Sequence, residues 1–194
     1  MVFKMLSQNV LIKDACLRTG FHIHPNGGGL VADTAFVDPN VYIGTNCIIG
    51  DYAIIIGIIE IRGDVHIFGH AQIYGRVYIS EHAKIFDQAF ISGDEVEIFG
   101  HAMIFDQARI LNHAKIYGNA RISEHAEVFD RAKVFGKAQV RGHSKAFGSA
   151  QVSGNSLIYG SSKISGCVKA YKRAEIFGDT WISGKSEICE KIMP

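Results

Sequence analysis

Aliphatic residues recur at every sixth position along most of this chain. From Ile98 the steps land on Ile104, Ile110, Ile116, Ile122, Val128, Val134 and Val140. They continue through Ala146, Val152, Ile158, Ile164, Ala170, Ile176, Ile182 and Ile188. Backwards from Ile91 they run through Ile85, Ile79, Ile73, Ile67, Ile61, Ile55, Ile49, Ile43 and Val37 to Val31. Only the step from Ile91 to Ile98 is seven, so one residue is inserted near Gly93–Glu95. A small residue, most often Ala, precedes each aliphatic by two. Self-similarity at a fixed short period marks a solenoid.

Strand residues two apart share a face, so the small and the aliphatic residue both point inward. The residues between and after them point outward. The remaining pair, Gly, Asp or Asn followed by His, Asn or Lys, carries turn chemistry. Three such sides make a coil of eighteen residues, and coils stacked about 4.8 Å apart make a triangular prism of roughly nine coils. The pattern therefore predicts an all-β chain: a parallel β-helix over residues 31–191, an N-terminal capping segment over 1–30 and a tail at 192–194. The first thirty residues lack the six-step, and an open solenoid end needs a cover. Val10-Leu-Ile and Phe21-His-Ile read as short strands there, with a helix left open, and Asn26-Gly-Gly-Gly reads as a turn.

In Ile54-Ile-Ile-Gly-Ile-Ile59 the register turns Ile55 and Ile59 inward and leaves Ile54, Ile56 and Ile58 outward or at a corner. An apolar outward patch is normally covered, here by residues 1–25 or by a second subunit. Ala146 replaces the core aliphatic with only Ser144 at the small site, which predicts a narrow coil at that level.

Val41-Tyr-Ile-Gly-Thr-Asn-Cys-Ile-Ile-Gly50 resembles the hexapeptide repeat of the left-handed parallel β-helix proteins. Later coils carry Phe or Tyr where that family usually has Gly. With Gly27-Gly28-Gly29-Leu-Val-Ala leading into the first coil, this variant is similar to the YdcK-like hexapeptide proteins of bacteria and phages. The resemblance implies a left-handed coil. Many members are homotrimeric acyltransferases that take CoA or acyl-carrier thioesters and use a general-base His in a groove between subunits. Relatives of the carbonic-anhydrase kind hold zinc between subunits, with paired histidines five residues apart. Here His66 and His70 are four apart.

Charge alters the picture more than composition does. The formal net charge is +1. Residues 1–97 hold six Lys/Arg against eleven Asp/Glu, and residues 98–194 hold fourteen against eight, so the halves carry −5 and +6. Nine basic residues and no acid lie between Arg131 and Arg173. Cys16, Cys47, Cys167 and Cys189 have neither metal nor disulfide spacing, and the first thirty residues have no long apolar run. A cytoplasmic, reduced protein with no membrane span is the expectation.

Four chemistries suggest themselves. Histidines at the corner position of the repeat, with His82, His101 and His125 foremost, are the candidate catalytic bases. Counting by coils puts Asp64, His82 and His101 in one vertical row and His125 with His143 in another, which makes the first three candidate metal ligands. Neither set displaces the plainer reading of solvated corner residues, and no cofactor is expected. The aromatics after each inward aliphatic should stack in ladders. On one side of the triangle those ladders meet bases: Lys115, Tyr117, Lys133, Phe135, Lys137, Lys169, Tyr171, Lys172 and Arg173. Basic and stacking groups together suit an anionic ligand, a nucleic acid or an acidic protein. The one-residue break is too short for a loop that shapes an acceptor pocket. The sequence thus favours a non-catalytic, self-associating binding or scaffold protein that presents a rigid face to a protein or anionic partner. A phage-type inhibitor of a host protein is compatible with this reading. A homotrimeric acyltransferase is the alternative.

Overall fold

The computed structural model describes residues 20–192, and these form a parallel β-solenoid of about nine coils with no helix. The strands make an eleven-stranded and a fifteen-stranded sheet. The first side of the triangle starts at Leu30–Ala32 and repeats through Ile48–Ile49, His66–Ile67 and Lys84–Ile85 down to Lys191–Ile192. The second side starts at Phe36–Val37 and ends at Trp181–Ile182, and the third starts at Tyr42–Ile43 and ends at Glu187–Ile188. Each strand pairs with its equivalent one coil away, as Ile116 with Val134 and Val134 with Val152.

The alternation puts the core where the pattern placed it. Ile43, Ile49, Ile55, Ile61, Ile67, Ile73, Ile79, Ile85 and Ile91 are fully buried, as are Ala71, Ala83 and Ala89. Only a small side chain fits beside each aliphatic in so narrow a prism. Ser144 takes the small site below Ala146, and its hydroxyl donates to Arg141 O at 2.7 Å, so a buried polar group there is satisfied.

The corner between the second and third sides is built in two ways. In the second to fourth coils, Ile54–Ile61, Gln72–Ile79 and Phe90–Ile98 run straight through it as single long strands. Below, the strand ends at Leu111 and a new one begins at Lys115, with Asn112 in a left-handed turn at φ 64°. The change falls on the insertion. Gly93 pairs with Gly75, but Val96 pairs with Val77, so the extra residue sits at 94–95.

At the upper end, the strand Phe21–Ile23 pairs antiparallel with Leu30–Ala32. The connecting loop folds onto the third side of the first coil. His24 Nε2 donates to Val41 O at 2.9 Å, and Gly29 N–H donates to Ile43 O at 2.9 Å. Residues 1–19, with Cys16 and the Val10-Leu-Ile stretch, lie outside the described residues. Residues 20–25 meet the first and third sides of the first coil rather than the isoleucine patch, and Ile58 stays 66% exposed.

Two expectations follow. A Cβ at Gly75, where φ is 90°, would lie 2.2 Å from Gly93 O, whereas Gly184, at φ 84°, has open space around it. Gly184→Ala should therefore cost about 1–2 kcal/mol from left-handed strain alone, and Gly75→Ala at least about 2 kcal/mol more. Denaturant midpoints of the two variants check this. His24 is buried, and desolvation holds its imidazole below the ordinary value. The unfolded chain then binds a proton that the folded chain refuses. Stability should fall as pH drops below about 6.5, and His24→Asn should flatten that part of a melting-temperature profile against pH.

Candidate functional site

The repeat spreads the histidines over three corners. His82 and His101 stand at the corner between the third and first sides, with ring centroids 4.7 Å apart and planes 15° off parallel. His125 and His143 stand between the first and second sides, 4.7 Å apart and 2° off parallel. Each pair is one coil apart, so the coil spacing imposes the stacking. Parallel rings aim their nitrogens along parallel lines rather than at a shared point, whereas a tetrahedral metal needs converging lone pairs. Asp64 shares the row of His82, but its carboxylate turns towards His66, with Oδ1 3.5 Å from Nε2. No group of three or more potential metal ligands occurs among the described residues.

On the third side, the register brings together most of the basic and aromatic residues singled out from the sequence. Lys115 pairs with Lys133, and Gln151 with Lys169. Phe99, Tyr117 and Phe135 form a ladder with centroids 4.9 and 4.8 Å apart and planes within 5°. Burial between the two rings pushes the Tyr117 phenol up from its ordinary pKa. The side is less basic than its sequence suggests. Lys115 Nζ lies 2.5 Å from Glu97 Oε1, and Lys169 Nζ lies 3.2 Å from Glu187 Oε1. Lys172 Nζ lies over the Tyr171 ring at 5.6 Å. Among the described residues, Lys133, Lys137 and Arg173 make no ion pair. Lys137 follows the left-handed Gly136 at the corner with the first side, as Arg173 follows Lys172.

The sequence did not anticipate a concavity at the insertion. An open depression of about 700 Å³ lies at the corner between the second and third sides, where the two corner geometries meet. Phe90, Leu111, His113, Arg131 and Ser149 line it, together with Asp94 of the insertion. Asp130 braces its floor. One carboxylate oxygen accepts from Asn112 Nδ2 at 3.1 Å, and the other from Gly148 N–H at 3.0 Å. Gly93 permits the step, because a Cβ there would lie 2.1 Å from Asn112 O. The expectation that one inserted residue leaves no pocket is therefore corrected: a change of corner type suffices. The seven-residue step was the signal. His82, His101 and His125 do not line this depression, whereas His113 does.

No protein-family model matches the chain, and no curated protein matches it in sequence. Solved structures do match. LpxA from Acinetobacter baumannii is 21% identical, with 79% of this chain and 70% of that one covered and a TM-score of 0.45. The UDP-N-acetylglucosamine O-acyltransferase LpxA from Moraxella catarrhalis RH4 is 18% identical, with 81% of this chain and 66% of that one covered and a TM-score of 0.52. The chain thus spans about two thirds of the second structure. The likeness to that second structure shows the fold: this chain is a left-handed parallel β-helix.

Proposed function

We propose that this chain is a subunit of a homo-oligomeric acyltransferase of the hexapeptide β-helix kind. It would move an acyl group from a CoA or carrier-protein thioester to a small hydroxyl or amine acceptor. The observation that carries this reading is the depression at the coil insertion. Its volume, about 700 Å³, falls within the usual range of small-molecule sites. It also brings an imidazole, a guanidinium and a carboxylate to one concave surface. The shared fold supports the reaction class by analogy of fold alone.

The roles follow from the chemistry of each group. His113 takes the proton from the acceptor hydroxyl or amine as that atom attacks the thioester carbonyl. The carbon–sulfur bond breaks, and the leaving thiolate recovers a proton from the imidazolium. Arg131 binds an anionic part of acceptor or donor, as a guanidinium does with phosphate or carboxylate. Phe90 and Leu111 offer apolar area to an acyl chain.

Thiol release from a panel of acyl-CoA thioesters, with and without sugar and amine acceptors, tests this. His113→Gln should lower acceptor-dependent release by about 10²-fold or more. His82→Gln and His125→Gln should leave it unchanged. No thiol release by the native protein, or full activity in His113→Gln, overturns the reading.

A second reading rests on the third side. There a three-ring ladder stands beside the unpaired Lys133, with Lys137 and Arg173 along the adjoining corner. Such a surface fits a rigid binding protein with an anionic or acidic partner. Replacing Lys133, Lys137, Lys169 and Arg173 with Glu should then weaken retention on single-stranded DNA, or capture of an acidic partner, by about tenfold or more. Unchanged binding removes this reading and leaves the first untouched.

A further inference from the structure

We infer that two copies of this chain pair antiparallel through the second side of the prism. This inference does not rest on acyl transfer. Along the second side, the strand register fixes one outward column: Phe36, Ile54, Gln72, Phe90, Arg109, Glu127, Lys145, Lys163 and Trp181. Large apolar groups lie exposed at both ends. Phe36 is 59% exposed and Trp181 69%, and Ile56, in the neighbouring column, is 37% exposed. Trp181 is held on the side by its Nε1–H, which donates to Ser165 Oγ at 3.4 Å. Exposed aromatic and aliphatic groups on one flat side mark an interface.

The order of the column says what covers it. A twofold axis lying along the strands in the contact plane, perpendicular to the prism axis, sets the column of one copy over the same column of the other, in reverse order. Centred between Arg109 and Glu127, it sets Arg109 against Glu127 of the other copy, and Glu127 against Arg109. Phe90 then meets Lys145, a cation facing a ring, and Gln72 meets Lys163. Ile54 meets Trp181. No like charges face each other in this register. In the second column, Leu111 meets Phe129, so the centre is apolar beside a paired charge.

A parallel arrangement does worse on two counts. It lays the −5 halves together and the +6 halves together, whereas the antiparallel one sets each half against its opposite. It also sets Arg109, Glu127 and Lys145 against the apolar column that contains Leu111, Phe129 and Phe147, with no charge across the interface to meet them. The area is sufficient. Eight coils of about 4.8 Å, each offering a side some 18 Å wide, bury roughly 700 Å² on each copy, close to a standard interface. Phe90 and Leu111 line both this side and the depression, so pairing brings Lys145 of the other copy to the rim of the depression.

The test is the mass in solution, by light scattering on the full chain, followed by two sets of variants. A dimer, twice 21.3 kDa, is expected. Arg109→Glu sets Glu against Glu across the twofold, and Trp181→Glu removes the end contact. Each should raise the dissociation constant by about tenfold or more. Arg109→Glu combined with Glu127→Arg should restore pairing to within about threefold, because the charges match again. Copies carrying Gln72→Cys, mixed with copies carrying Lys163→Cys and oxidised, should form a disulfide between those two positions in peptide maps. A monomer at every concentration, a dimer indifferent to Arg109→Glu and Trp181→Glu, or linkage of Gln72→Cys only to another Gln72→Cys overturns the inference. These readouts involve no catalysis, so their outcome is separate from that of the acyl-transfer assay.

Discussion

Each coil of this protein hangs from the next by parallel backbone hydrogen bonds between residues seventeen apart, such as Phe135 N–H to Val152 O at 2.9 Å. That ladder is the constraint on which the rest depends. It fixes the spacing of side chains along the prism axis, so whatever stands at one position faces its equivalent in the neighbouring coils. The inward columns must then be apolar throughout, because a prism this narrow has no room for water beside a buried polar group. The few serines that enter the core, such as Ser144 and Ser162, donate to a carbonyl of their own corner.

The same ladder forces like against like on the outside, and the sequence answers in several ways. Aromatics stack on aromatics, as in Phe129 over Phe147 at 4.8 Å. Charges alternate where they can, as in Glu127 between Arg109 at 3.9 Å and Lys145 at 2.9 Å. At one corner, Asp87, Asp106 and Glu124 follow one another with φ near 57–59° for the last two. Acidic residues in a left-handed conformation, stacked upon each other, would be doubly unfavourable. Their backbone compensates. Asp106 N–H donates to Asp87 Oδ2 at 3.2 Å, and Glu124 N–H to Asp106 Oδ2 at 3.0 Å, so each carboxylate satisfies the coil below. Local side-chain to backbone bonds of this kind are what let Asp replace Gly at a turn.

Almost all of the fold was legible in the sequence, because period and burial are the same information in a solenoid. Ile43 to Ile91 and Ile98 to Ile176 follow directly from counting in sixes. The rows His82–His101 and His125–His143 were legible for the same reason. Whether a group is free was not. Lys115 and Lys169 read as binding residues, yet the coil spacing brings Glu97 and Glu187 beside them, and the pairing of outward residues depends on rotamers that periodicity does not encode. The depression was hidden for a different reason. The sequence marked the insertion near Gly93–Glu95, but not that the corner would pass from an extended strand at Gly93 to a tight turn at Asn112. That choice is made by the neighbouring coils, through the close approach of Gly75 to Gly93 and of Gly93 to Asn112.

Regularity itself limits where chemistry can arise on such a fold. A perfect prism offers three flat sides and three convex corners, and neither excludes water from a reacting atom. A concave surface needs a departure from the repeat, and in this chain the departure is a single residue. Its position near the middle of the prism is physically apt. The coils above it carry the negative half of the charge and those below it the positive half, so the potential changes sign where the depression lies. A zwitterionic or phosphate-bearing ligand would be oriented by that field before it touched His113 or Arg131. The insertion thus sets both the shape of the depression and its place in the field, while every other coil serves to hold that place rigid.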